Sequence, residues 1–320
     1  MQKENIIKLK AFKNAYCDVV ACGLGAFLNV SDENYKDIIS SLSKEDVDIL
    51  CHYAVIKNKL AGVGEVNLKV PYVKSGIKYL DMYGLKGCEI LEAGYLNGLA
   101  SKDLVGCRFI LEIENLNEYN GGQLSDITQF CATTDTPVII QFGRSLESVG
   151  QIVNKFGISP ASLLEDYGLL DRECYLYGMN YIDKDDQILL SNYNPTLILS
   201  PRSDGEEGKG EINLYNLIYN RLKFCFSSGK CYNIDMLKEG KFALLNTNNL
   251  MRTSGLVKAE QTIEALQGDD GEIEISFNND KKIDAILEEG KLLSQLQLEG
   301  KLATLEEEIK QLVKRLKGEK

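Results

Sequence analysis

Residues 12–23 read FKNAYCDVVACG. Aromatic and β-branched side chains crowd its centre, no proline interrupts it, and a glycine closes it, so AYCDVVA (15–21) is expected to form a buried strand. Seven further runs have the same character: VGEVNL (63–68), CEILEA (88–93), RFILEIE (108–114), PVIIQF (137–142), CYLYG (174–178), TLILSP (196–201) and FCFSSG (224–229). Helical patterns lie between them. The clearest is SKEDVDILCHYAVIKNKL, opened by Ser43 and the acidic residues behind it and closed by a glycine. Strands alternating with helices predict a parallel sheet, and eight such units over about 230 residues fit an α/β fold of the (β/α)8 TIM barrel type. An open doubly wound sheet competes, but no G-x-G-x-x-G follows the first strand to support its dinucleotide-binding form.

Composition narrows the function classes. A chain of 320 residues that is 44% hydrophobic can bury a large core. Its net charge of −11 argues against nucleic acid or an anionic membrane as the main partner, because phosphate recognition needs a concentrated positive face. Nine cysteines lie without a C-x-x-C pair, the nearest being Cys17 with Cys22 and Cys225 with Cys231, so reduced thiols are expected in place of disulfides or a structural zinc site. The apolar runs are of strand length and no secretory leader opens the chain, so a cytoplasmic location with no membrane helix is expected.

The order of motifs is similar to that of the amidohydrolase superfamily, in particular its branch of nucleoside and S-adenosylhomocysteine deaminases and triazine chlorohydrolases. The frame Phe12-Lys13-Asn14-Ala15-Tyr16-Cys17-Asp18 resembles that family's first barrel strand, F-x-N-A-H-x-H, with Tyr16 and Asp18 at the places of two metal-binding histidines. Gln141-Phe142-Gly143-Arg144 stands where the family has H-x-A-E, which puts Gln141 at a metal histidine and Arg144 at the catalytic glutamate. The following SLESVGQIVNKFGISPASLLEDYGLLDRECYLYG resembles the family's helix, its turn with proline, its E-x-x-G-L-L-D and a strand bearing another histidine, whose place Tyr177 takes. PRSD (201–204) resembles P-x-S-N, and Ser227-Ser228-Gly229 falls where the resemblance implies a last aspartate ligand. GEIEI and KKIDAIL resemble the family's closing β element, while the β-sandwich that ordinarily precedes the first strand is expected to be reduced.

Metal-dependent deamination needs imidazole and carboxylate ligands that hold a water-activating ion, and a carboxylate that shuttles protons. The chain has one histidine, His52, inside a predicted helix and away from any strand end. No metal and no other cofactor is therefore expected, and Arg144 would place a cation where the resemblance implies an ion. Asp18 and Arg144 are expected to pair, with Tyr177 filling the volume of an imidazole, as a plug in a vestigial pocket. The alternative is that Tyr16, Asp18, Gln141, Arg144 and Tyr177, with Arg202, Ser203, Ser228 and Lys230 from neighbouring loops, bind a small anionic or nucleoside-like ligand. SDGEEGKGE (203–211) lacks the spacing of a calcium loop and is expected to be a solvated turn. The expected function is that of a catalytically inactive, amidohydrolase-like pseudoenzyme acting as scaffold or regulatory partner. The alternative is a hydrolase or deaminase with an atypical site.

Three domains are expected: a barrel over 1–268, a residual β element over 269–289 and a C-terminal helix over 290–320. In that helix Leu298, Leu302, Leu305, Ile309, Leu312 and Leu316 are spaced 4, 3, 4, 3, 4, a heptad seam that predicts an amphipathic or coiled-coil helix. Self-association or a protein partner is expected through it, and packing onto its own barrel is the alternative.

Overall fold

A computed structural model describes residues 6–30, 34–94, 107–277, 283–288 and 292–318. The chain divides into two compact units, one of Met1–Glu89, Ser228–Met236 and Leu266–Lys320, the other of Ile90–Ser227 and Leu237–Ala265.

In the first unit, strand β1 (Ile6–Asp18) is long enough to serve two neighbours. Its later half pairs in parallel with β2 (Val63–Lys69), from Phe12 opposite Val63 to Asp18 opposite Lys69. Strand β3 (Glu89–Glu92) lies at the division between the units. The earlier half of β1 pairs antiparallel with β9 (Gln267–Phe277), which in turn pairs with β10 (Ile283–Glu288). The residual β element is thus a continuation of the first barrel strand's own ladder. The expected strand over 15–21 stops at Asp18, because the Asp18 carboxylate accepts from the backbone N–H of Val20 and Ala21, both at 3.0 Å, and starts helix α1 (Val19–Leu24).

Helix α2 (Tyr35–Ser40) is short, and α3 (Lys44–Leu60) carries the expected cap. Ser43 Oγ accepts from Asp46 N at 3.2 Å and Asp46 Oδ2 accepts from Ser43 N at 2.8 Å, a reciprocal capping box. Gly62, at φ 76°, turns the chain from this helix into β2. Helix α4 (Ile77–Tyr83) packs on α3.

Strands β4 (Phe109–Ile113), β5 (Val138–Phe142), β6 (Cys174–Gly178), β7 (Thr196–Leu199) and β8 (Lys223–Phe226) form the sheet of the second unit, each parallel to the next. Val138, Ile139, Ile140, Leu176, Leu197, Ile198 and Leu199 are all fully buried, the continuous apolar reading of strands covered on both faces. Helices α5 (Gly121–Thr134), α6 (Leu146–Phe156), α7 (Pro160–Asp166) and α8 (Lys184–Tyr193) start at Asn120, Ser145, Ser159 and Asp183, whose side chains all accept from the first turn. Then come α9 (Pro201–Glu206), α10 (Leu214–Tyr219), α11 (Met236–Met251) and α12 (Ala259–Leu266).

The last helix, α13 (Leu292–Leu316), belongs to the first unit and lies on α3. Leu305, Ile309 and Leu312 of the seam are buried, Leu298, Leu302 and Leu316 half-buried, and Val313 is buried beside them. Polar contacts fix the register: Tyr53 Oη donates to Glu306 at 3.3 Å and Arg315 forms an ion pair with Asp46. The buried part of the seam lies on α3 of the same chain, the alternative of packing onto its own barrel.

Candidate functional site

The strand ends of the second unit hold a buried ionic cluster built around Arg144. After β5, Gly143 adopts φ 60° and Arg144 follows, 8% exposed. At the end of β6, Gly178 has φ 110°, and a Cβ there would lie 2.2 Å from Arg144 Cγ, so only glycine lets this side chain pass. The guanidinium stands 4.9 Å from the Tyr177 ring centre. Its Nη2 reaches Asp204 Oδ1 at 3.1 Å and Glu207 Oε2 at 3.4 Å, and its Nη1 donates to Gln141 Oε1 at 3.4 Å. Gln141 passes the contact on, donating from Nε2 to Glu112 Oε1 at 3.1 Å. Ser200 Oγ donates to Tyr177 Oη at 2.9 Å and Ser203 Oγ to Glu207 Oε1 at 3.1 Å.

Beside this cluster Arg202 N donates to Glu239 Oε2 at 3.1 Å, and Arg202 Nη1 lies 3.5 Å from Glu239 Oε1. Burial pushes the Glu239 carboxyl up to about 8, against the pull of Arg202. Burial likewise raises Asp204, although Arg144 counters it. Burial alone would disfavour charge on Arg144, but Tyr177, Asp204 and Glu207 around it keep the guanidinium protonated.

The pairing expected between Asp18 and Arg144 is not formed. Arg144 takes its carboxylates from α9 and the residue just beyond it, while the Asp18 carboxylate caps α1. For the same reason 203–211 is no solvated turn: Ser203 and Asp204 are buried in a helix, and Glu207 faces the guanidinium. Asp204, Glu207, Glu112 and Glu239 were not among the expected site residues. Glu112 had a signal, being a carboxylate in the middle of the apolar run RFILEIE, where a charge is retained only with partners.

Tyr16, Asp18, Ser228 and Lys230 belong to the first unit. Tyr16 is fully buried. Gly229 pairs with β1, its N–H donating to Tyr16 O and its carbonyl accepting from Asp18 N, both at 3.1 Å. Asn14, also fully buried, donates to Ser228 Oγ at 2.9 Å and Asn58 Oδ1 at 2.8 Å and accepts from Ser228 N at 2.9 Å. The Lys230 and Lys69 ammonium groups stand 5.2 and 5.4 Å from the centre of the Tyr35 ring. Asp18 Oδ2 is buried and has no hydrogen-bond partner among the described residues. His52 lies on α3 and stacks on Tyr79, the structural role expected of it. Among the described residues no three His, Cys, Asp or Glu side chains are grouped so that they could hold a metal ion, and no helix is long and apolar enough to cross a membrane.

No protein-family model matches the chain. Its sequence is 24% identical over 144 residues to a 5-methylthioadenosine/S-adenosylhomocysteine deaminase of Caldicellulosiruptor saccharolyticus, covering 44% of this chain and 34% of that protein. A deaminase of the same name from Pyrococcus furiosus is 25% identical over 133 residues, 41% of this chain and 32% of its own. The matches therefore span about a third of the length of these relatives. Among solved structures, a zinc-bound adenosine deaminase from Xanthomonas campestris superposes with a TM-score of 0.79 at 11% identity, over 96% of this chain and 87% of that one. A guanine deaminase from C. acetobutylicum gives 0.70 at 12% identity, over 85% and 78%. A triazine hydrolase variant gives 0.70 at 11%, over 95% and 88%. At such identities the structures speak for the fold, the expected (β/α)8 barrel. In fold and in this partial sequence match the chain is similar to deaminases and hydrolases of the amidohydrolase superfamily.

Proposed function

We propose that this protein is a binding member of that superfamily, with a pseudoenzyme's strand ends in place of a hydrolytic metal centre. The observation that carries this reading is Arg144, whose guanidinium lies over Tyr177 and is shared by Asp204, Glu207 and Gln141. Two positions that the resemblance gives to metal histidines, Gln141 and Tyr177, have their polar atoms engaged with Arg144, Glu112 and Ser200. The Asp18 carboxylate spends one oxygen on capping α1. Its other oxygen, buried and unpaired among the described residues, suits a hydroxyl or amino donor of a small nucleoside-like ligand.

A second reading is favoured by the relatives, which are named as 5-methylthioadenosine/S-adenosylhomocysteine deaminases. On it the chain hydrolyses a C–N bond, with a carboxyl of raised affinity for protons such as Glu239 as acid. Metal analysis of protein purified without chelators, together with ammonia release from 5-methylthioadenosine, S-adenosylhomocysteine and adenosine, separates the two. The binding reading expects substoichiometric metal, no ammonia and calorimetric heats with at least one of these nucleosides. Stoichiometric metal with turnover would establish the hydrolase and discard the first reading.

A further inference from the structure

The chain's single histidine lies where three helices of the first unit meet, away from the strand ends. From α3 the His52 ring stacks on Tyr79 of α4, with centroids 4.3 Å apart and planes 8° from parallel, and on Tyr83 at 5.6 Å. Its Nε2 lies 2.7 Å from Tyr83 Oη. Helix α13 adds Lys301, whose ammonium donates to the same Oη at 3.5 Å and stands 5.4 Å from the Tyr83 ring centre. The other charged groups facing the imidazole are Asp48 on α3, Lys78 on α4 and Glu308 on α13. Asp48 is itself engaged, pairing with Lys78 and accepting from Tyr79 Oη at 2.6 Å.

An ammonium can only donate, so Tyr83 Oη accepts from Lys301, and in the tautomer of the neutral ring that leaves Nε2 unprotonated the Tyr83 proton goes to Nε2. Protonation of Nε2 reverses that bond. The imidazolium then donates to Tyr83, whose oxygen is left between two cations while its proton turns away. Burial and the Lys301 ammonium hold the imidazole neutral to lower pH than usual, Lys78 adds to them, and Asp48 and Glu308 oppose them.

We propose that His52 is a proton-operated catch on α13: the neutral ring completes a chain from Lys301 through Tyr83, and its protonation releases the first half of the helix. The second half has its own hold in the buried Leu305, Ile309 and Leu312 and in the ion pair of Arg315 with Asp46. In the first half Leu296 is 59% exposed and Leu298 and Leu302 are only half-buried. Release is therefore local. It does not depend on the chemistry at the strand ends.

Hydrogen exchange on the full-length protein at pH about 7.5 and at a lower pH where the His52 resonance itself shows the ring protonated tests this once intrinsic exchange rates are corrected for. Protection of 292–304 is expected to fall several-fold at the lower pH while that of 305–316 holds. In Lys301→Met most of this pH dependence should vanish, and the single histidine resonance should titrate at higher pH than in the wild type. Tyr83→Phe keeps the stack but removes the shared oxygen, and should leave 292–304 equally exchangeable at both pH values. Protection that ignores pH, or is lost equally in both halves, overturns the proposal. So does a His52 titration that Lys301→Met leaves unmoved.

Discussion

Arg144 is a buried cation held by two carboxylates, an amide and a ring. Removing it strands Asp204 and Glu207, so Arg144→Ala is expected to destabilise the fold by about 3–5 kcal/mol in urea unfolding. Arg144→Met combined with Asp204→Asn should cost clearly less, since both charges leave together. Glu239 gives a test with a sign. Its carboxyl holds a proton up to about pH 8 when folded, well above the ordinary glutamate range of the unfolded chain. The folded state then binds more protons than the unfolded between those two values, so stability falls as pH rises through that window and levels off above it. Glu239→Gln should flatten this slope and raise the melting temperature at pH about 8.5 relative to wild type, with little change at pH about 5. A wild-type curve that climbs across the window and is unaltered by the substitution would refute this account. At this scale the sequence was legible for residue type: a Tyr, a Gln and an Arg at strand ends. Partner choice was not, because Asp18 and Asp204 present the same charge and only the chain's path decides which one meets the guanidinium.

Elements begin and end for local reasons, and most were readable. Ser43 with Asp46, Asn120 with Gln123 and Ser159 before Pro160 are caps written in adjacent residues. The end of β1 was missed because Val19 and Val20 are strong strand formers. Two hydrogen bonds to the Asp18 carboxylate outweigh that preference. Asp18→Ala should therefore cost about 1 kcal/mol or somewhat more by thermal melting, the price of a lost N-cap. The seam of α13 was equally readable, but periodicity says that a face is apolar, not what covers it. With Ile309 fully buried in that face, Ile309→Ala is expected to destabilise by about 2–4 kcal/mol, whereas Leu296→Ala, at an exposed position, should be nearly neutral.

For the molecule as a whole, the occupied seam predicts that full-length protein and a chain truncated after Gly290 have the same oligomeric state by light scattering, the truncated chain melting at lower temperature. A larger assembly that dissociates on truncation would show that α13 reaches another copy instead. The strand positions and the alternation with helices were determined by the sequence itself, since each rests on side chains a few positions apart: apolar period, cap, turn. The tertiary structure alone decided that Arg144 meets Asp204 across 60 positions, that Arg315 meets Asp46 across 269, and that a single histidine lies between tyrosines beneath a lysine of the last helix. Such contacts join groups of common type at large separation, and charge or polarity is the same at many positions in the chain. What selects one partner is the packing of the helices and strands that carry them.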